Sequence, residues 1–159
     1  MTRGFTFFGH VAAWARRTLG CMALIGLLLP VAAGAAVLAE PDARAVRQIV
    51  EGQLEAFAAD DAERAFSYAS MGIRAQFGDA GNFMAMVRRG YPMVIRPAAV
   101  SFFLPQLETA TPETVTQLVQ LRDRDGRLWK AAYTLQRQGS ASWRIGGCVV
   151  TADSGGTST

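Results

Sequence analysis

The sequence has few of the side chains that most often carry catalysis or bind metals: its 159 residues include one histidine and two cysteines. His10 and Cys21 precede Glu40, in a segment that we expect to be removed on export. The remaining chain then keeps no histidine and one cysteine, Cys148. This shortage excludes Ser-His-Asp and Cys-His catalysis, a histidine metal site and an intramolecular disulfide. We therefore expect no cofactor, no metal and no catalytic set.

The apolar run near the N-terminus is too short for a membrane-spanning helix. It extends from Cys21 to Leu29 and is broken by Gly26 and Pro30, whereas a spanning helix needs about 20 apolar residues. Arginines precede the run and small residues follow it, which is the layout of a secretory signal. We therefore predict that residues 1–39 are a signal peptide and that the protein is periplasmic or secreted, in preference to an uncleaved membrane anchor.

Two details of this export signal stay open. The candidate cleavage sites follow Ala39, which we prefer, Ala35 and Ala36. The pair Arg16-Arg17 is compatible with the general secretory route, which we favour, or with the twin-arginine route. After cleavage, we expect no membrane span.

The charge of the chain depends on the same segment. Three of the 16 lysines and arginines precede Glu40, and the remaining 13 balance the 13 aspartates and glutamates. A near-neutral chain has no electrostatic basis for binding nucleic acid. We predict one domain over residues 40–150, which is long enough to fold alone, and a disordered tail over residues 151–159, which are rich in Ser, Thr and Gly.

Residues 114–150 form three runs of alternating apolar and polar residues, which are typical of consecutive antiparallel strands. The turn signals between them are Asp125-Gly126 and Gly139-Ser140. A three-residue loop would pair Asp123 with Arg127, whereas a two-residue turn would put the apolar residues of the two strands on opposite faces. We therefore predict a bulged hairpin with Gly126 in the left-handed conformation.

This register gives the sheet one apolar face, which we call the inward face. Its predicted members are Val115, Val119, Leu121, Trp129, Ala131, Tyr133, Leu135, Trp143, Ile145 and Val149. By the same alternation, Arg144, Gly146 and Cys148 point away. An element must cover the inward face, and the sequence before it supplies amphipathic helices.

Three helices are predicted before the strands. The first begins at Asp42 and presents an apolar stripe from Val46 to Phe57. Asp60 and Glu63 fit a capping box that would start the second helix, and the third runs from Ala80 or Asn82 to Arg89. We read residues 70–78 as a turn region. A fourth strand is predicted over residues 99–104, and Pro105 after it indicates either an edge strand or a strand that stops there.

Three helices followed by four antiparallel strands predict an α+β domain. We expect the helices to pack on a curved four-stranded sheet. A twisted sheet that curls around the first helix would leave a cone with an open mouth.

Three segments carry a family resemblance: residues 53–70, residues 83–97 and the ending Ser142–Cys148. They closely resemble an exported bacterial family, domain of unknown function 4864, over nearly the whole chain after the leader. The arrangement is also similar to the nuclear-transport-factor-two-like (SnoaL-like, cystatin-like) superfamily, which includes ketosteroid isomerase and polyketide cyclases. The resemblance implies export and a compact cone that holds a pocket or forms a homodimer, but it implies no activity.

Acid–base catalysis of the isomerase or cyclase type is the alternative function. That chemistry needs a carboxylate base and a tyrosine inside the cone. The sequence places no carboxylate on the inward face, so Asp60, Asp61 or Asp79 would have to supply the base. Helix capping explains the pair Asp60-Asp61 as well. A structural module that dimerises through the open sheet face is a third hypothesis.

We favour a non-catalytic module that binds a small apolar or amphipathic ligand, or a partner, through the cone. The predicted ligand-binding residues are Tyr91, Arg96, Trp129, Tyr133 and Trp143. The three sheet aromatics share the inward face, and Tyr91 and Arg96 lie in a proline-bounded loop near the mouth of the cone. The alternative is that the aromatics are ordinary core and that the loop is held by its prolines. We interpret Cys148 as an inert small residue.

Overall fold

The computed structural model describes residues 38–108, 111, 113–139 and 142–153. Residues 1–37 of the predicted leader, with the candidate cleavage sites after Ala35 and Ala36, lie outside the described residues, as does the tail from residue 154. Within the described residues, no helix has both the length and the apolar character needed to cross a membrane.

Four α-helices precede the sheet among the described residues, one more than predicted. They are α1 (Glu40–Ala59), α2 (Ala62–Ser67), α3 (Met71–Phe77) and α4 (Ala80–Gly90), and a short 3-10 helix (Pro92–Val94) follows. The first helix begins two residues before the predicted Asp42, because Pro41 suits a first helical turn and Glu40 and Asp42 favour its positive end. Its apolar stripe is buried, as predicted.

The helix boundaries correct two predictions. The capping box at Asp60 is wrong: Asp60 closes α1 in the left-handed conformation (φ 60°), and Asp61 caps α2 by accepting from Arg64 N at 3.0 Å. The turn region at residues 70–78 is in fact α3, capped by Ser70. We missed this helix because Gly72 and Gly78 are turn signals, although Ile73 and Phe77 have the four-residue spacing of one helix face.

The sheet has five strands among the described residues, where we expected four. They are β1 (Ala99–Phe102), β2 (Gln106–Leu107), β3 (Thr114–Arg122), β4 (Leu128–Gln138) and β5 (Ser142–Ala152). The order is β1-β3-β4-β5, all antiparallel, and β2 pairs with the other end of β3. The missed strand is two residues long and follows Pro105, which separates it from the edge strand β1.

The predicted β3–β4 register is confirmed. Asp123 N donates to Arg127 O at 3.0 Å, Gly126 has φ +82°, and Leu121 lies opposite Trp129. Asp123 stabilises the turn further, since its carboxylate accepts from the backbone N–H groups of Asp125 and Arg127. This local chemistry sets which side chains of both strands face inward.

The predicted alternation along β5 is wrong beyond Ile145. Leu135 pairs with Ile145 whereas Thr134 pairs with Gly147, so Gly146 is an extra residue, a β-bulge. The bulge reverses the alternation: Cys148 faces inward opposite Tyr133, and Val149 points outward with 64% of its surface exposed. The strand also continues to Ala152, into the segment that we predicted to be disordered.

The core lies between α1 and the inward face of the sheet. One polar junction ties the start of α1 to the far ends of β4 and β5. Asp42 accepts from Trp143 Nε1 at 2.9 Å and from an Arg137 guanidinium nitrogen at 2.8 Å, and the Arg137 guanidinium lies over the Trp143 ring. We call these three residues the Asp42 junction.

Candidate functional site

A partly enclosed cavity of about 440 Å³ lies between the helices and the middle of the sheet. Its lining combines α1, the segment before α3, α3 itself, α4, the segment after α4, and the strands β4 and β5. The lining residues are Gln53, Phe57, Ala69, Ile73, Gln76, Phe77, Phe83, Met86, Val87, Tyr91, Val94, Tyr133, Ile145, Gly147 and Cys148. Most of this wall is apolar, so the cavity is suited to an apolar occupant.

The helical wall is organised around Phe83 of α4. Its ring centroid lies 6.1 Å from that of Phe57, 5.4 Å from that of Phe66 and 5.6 Å from that of Phe77. Asp79 caps this helix by accepting from Asn82 N at 2.8 Å, which sets the direction in which Phe83 points. Tilted and edge-on aromatic contacts of this kind make a rigid wall.

The sheet wall carries the two groups with the most altered acidity, Tyr133 and Cys148, which are cross-strand neighbours. Burial raises the pKa of Tyr133 well above its usual value, and burial raises the pKa of Cys148 to about 12. Both groups therefore stay protonated and neutral at physiological pH. Tyr133 is 1% exposed, and its hydroxyl has no hydrogen-bond partner of good geometry among the described residues. The Cys148 thiol beside it is a weak acceptor at best.

Gln53 of α1 supplies a further polar group at the cavity. It is buried, and its Nε2 donates to Ala65 O at 3.2 Å. Because the Ala65 carbonyl oxygen can only accept, it is the amide nitrogen of Gln53 that must point toward α2. The amide oxygen accepts from no described residue, so it is available to a donor.

Among the residues that the structure describes, no Asp, Glu, His, Lys or Arg lines the cavity. The three carboxylates considered for acid–base catalysis are exposed and lie at helix ends: Asp60 closes α1, Asp61 caps α2 and Asp79 caps α4. None of them lines the cavity. The acid–base mechanism written for these residues therefore lacks its base.

The structure separates the five predicted ligand-binding residues. Tyr91 and Tyr133 line the cavity together. Trp143 is buried in the Asp42 junction, away from the cavity. Trp129 and Arg96 line a separate surface groove beside the β3–β4 turn.

The spacing along β4 explains why Trp129 and Tyr133 do not line the same site. Trp129 and Tyr133 are four strand residues apart, which corresponds to about 13 Å. The Trp129 indole donates to Asp123 Oδ2 at 2.9 Å, within its own hairpin. Arg96 has a left-handed backbone (φ 55°) and donates from Nε to Ala58 O at 2.6 Å, so it anchors the loop to α1.

The prediction missed the helical half of the site and Cys148. Phe57 and Phe83 were assigned only to apolar helix faces, and Ile73 and Phe77 belong to the helix that was not predicted. For Cys148 the signal was present, because Gly146-Gly147 is a pair of residues that often marks a bulge.

Comparisons with known proteins place this geometry in context. The family model described as "Domain of unknown function (DUF4864)" matches residues 39–157. The solved structure of Aln2 from a Streptomyces species is similar, with a TM-score of 0.52 and 18% sequence identity over 74% of this chain and 95% of that chain. A comparison with the curated proteins finds no match. The structural likeness agrees with the expected nuclear-transport-factor-two-like α+β fold, and at this identity it shows the fold alone.

Proposed function

This chain belongs to the DUF4864 family, and we propose that it binds a small, mainly apolar molecule in its cavity without transforming it. The observation that carries the proposal is a cavity of about 440 Å³ that no charged side chain of the described residues lines. Ligand sites of this size with apolar walls and a few polar groups are typical of proteins that bind small molecules.

The physical basis of the proposal is the transfer of an apolar ligand out of water. Each Å² of apolar surface buried is worth about 25 cal/mol, and the Phe57, Phe77 and Phe83 rings offer a rigid surface for it. Water molecules are poorly stabilised in an apolar cavity, because most of its wall cannot form hydrogen bonds with them. Binding needs no large rearrangement, since the cavity is already formed.

The acid–base character of the lining supports binding without chemistry. Its two titratable groups, other than Tyr91, are Tyr133 and Cys148, and both stay protonated at neutral pH. A general base must have a pKa near the working pH, and a cysteine nucleophile must be a thiolate. Neither condition is met here.

We also propose that the protein performs this role outside the cytoplasm. The basis is the leader pattern at residues 1–39, in which arginines precede a short apolar run and small residues. Fractionation of a cell that expresses the complete chain, followed by mass determination, tests this proposal. A cytoplasmic protein of full length would contradict it.

Binding is tested with N-phenyl-1-naphthylamine, a neutral dye that fluoresces in apolar surroundings. The protein is purified after expression of the complete chain, and its dye affinity is compared with that of Ile73→Trp. Ile73 lines the cavity from α3, which buries none of its own residues, so a larger side chain there should fill the cavity without unfolding the protein. We expect an affinity loss of about tenfold, which corresponds to about 1.4 kcal/mol.

The matched control is Met71→Trp on the same helix. Met71 is 71% exposed and does not line the cavity, so this variant should bind the dye like the wild type. Equal losses in the two variants, or no dye binding by the wild type, would refute the proposed function.

A further inference from the structure

We propose that the ligand carries an uncharged group with a hydrogen-bond acceptor, such as a ketone, ether or hydroxyl oxygen, and that the Tyr133 hydroxyl binds this group. The inference rests on the proposed function and adds the chemical class of the ligand. It makes Tyr133 the residue that determines specificity within an otherwise apolar cavity.

The first argument is the unsatisfied hydroxyl. Within the described part of the chain, Tyr133 O–H is the only buried side-chain donor without a partner. The one buried side-chain acceptor without a partner among the same residues is Oε1 of Gln117, the cross-strand neighbour of Tyr133 on β3, and no hydrogen bond joins the two groups. The two inward-facing tryptophans differ: Trp129 Nε1 donates to Asp123 and Trp143 Nε1 donates to Asp42, each at 2.9 Å. A buried donor without an acceptor costs free energy, which an acceptor on the ligand would recover.

The second argument is that Tyr133 is predisposed to donate. The raised pKa keeps its hydroxyl protonated, and its neighbour across the strand, Cys148, is a neutral thiol whose sulfur competes weakly for that proton. Both residues line the cavity from the sheet side. An oxygen that accepts a hydrogen bond is therefore the natural complement of this wall.

The third argument excludes charged ligands. No Lys, Arg or His lines the cavity to balance a carboxylate or phosphate, and no Asp or Glu lines it to balance an amine. A charged group transferred there would lose its hydration without gaining a counter-ion. The acceptor must therefore be neutral.

Three compounds with one ring system test the inference: tetralin, which has no acceptor, 1-tetralone, which adds a neutral carbonyl, and 1,2,3,4-tetrahydro-1-naphthoate, which adds a carboxylate. Their affinities are measured by NMR titration of the isotopically labelled protein, expressed as the complete chain. We expect 1-tetralone to bind about 3- to 10-fold more tightly than tetralin, the gain typical of one neutral hydrogen bond. The carboxylate should bind most weakly.

Tyr133→Phe removes the hydroxyl and keeps the ring, and it should abolish the preference for 1-tetralone while leaving tetralin binding intact. Tyr68→Phe removes a tyrosine hydroxyl outside the cavity lining and should preserve the preference.

The outcomes separate the two proposals. Equal binding of tetralin and 1-tetralone by the wild type would overturn this inference alone, and would indicate that Tyr133 donates to water. A preference for 1-tetralone that survives in Tyr133→Phe would also overturn it. If none of the three compounds binds, the proposed function fails together with the inference.

Discussion

The Asp42 junction and the cavity lie on the same inward face of the sheet, but they differ in how their buried polar groups are hydrogen-bonded. At the junction, the Trp143 indole and the Arg137 guanidinium share one carboxylate, and the carboxylate is charged. At the cavity, Tyr133 is as deeply buried as Trp143 and its hydroxyl has no partner among the described residues. A complete network holds α1 on the sheet, whereas an incomplete one leaves a group free for a ligand.

The largest effect is expected at the cavity, where the Cys148 thiol should react very slowly with an alkylating agent. Because the thiolate is the reactive form and the pKa is about 12, alkylation by iodoacetamide at pH 8 should be at least ~100-fold slower than that of glutathione. The rate should keep rising with pH up to pH 10 without a plateau. Mass spectrometry of the Cys148 peptide measures it, with urea-unfolded protein as the control. A rate close to that of glutathione would show that Cys148 is not in an apolar wall.

Removing the carboxylate of the junction should destabilise the fold. Asp42→Ala leaves the Trp143 indole and the Arg137 guanidinium without their acceptor, and we expect a loss of about 2 kcal/mol in the free energy of unfolding. Urea denaturation measures the loss. Glu51→Ala, on the exposed side of the same helix, should change stability by less than about 0.5 kcal/mol. Similar values for both variants would show that the junction does not stabilise the protein.

Removing the hydroxyl at the cavity should change the free energy of unfolding in the opposite direction. Tyr133→Phe eliminates a buried donor that lacks a partner, so the ligand-free protein should be as stable as the wild type or more stable by up to about 1 kcal/mol. Thermal and urea unfolding both test this expectation. A loss of more than about 1 kcal/mol would mean that the hydroxyl already has a structural partner, and the comparison between the two regions would break down.

The smallest effect is the pH dependence of the junction. The hydrogen bond from Trp143 and then that from Arg137 lower the pKa of Asp42, so its folded pKa lies below its unfolded value. Its contribution to stability is therefore fully present above pH 4, roughly the unfolded pKa, and is lost as the pH falls through the folded pKa. Asp42→Asn should lose less stability than the wild type between pH 6 and pH 3 in urea titrations. Parallel curves would contradict the assignment.

The parts of the fold that were predictable are those with a strong local signal. The Asp125-Gly126 turn set the β3–β4 register because Gly126 needs a positive φ, and the apolar stripe of α1 identified its buried face. The helix α3 and the strand β2 were missed because α3 is seven residues long with a glycine turn signal near each end and β2 is two residues long. Elements this short contain too little periodic pattern to be predicted from the sequence.

The candidate site was predictable only in part. Tyr91 and Tyr133 were identified because they are aromatic and lie on the expected side of the cone. Cys148 was placed on the wrong face because a bulge adds one residue to one strand, and the alternation after it reverses. Trp143 and Trp129 lie outside the site, and the indole nitrogen of each donates a hydrogen bond to a carboxylate, that of Asp42 or Asp123 respectively.

Composition and alternation were enough to establish the α+β class, the apolar inward face from Val115 to Ile145, and the absence of histidine chemistry after Glu40. Which inward residues meet in the cavity depends on packing in three dimensions, because the cavity wall is assembled from α1, α3, α4 and two strands that are distant in the chain. Packing also leaves Tyr133 without a partner while it satisfies Trp143. Hydrogen bonding depends on distances between elements, and alternation along a single strand contains no such distances.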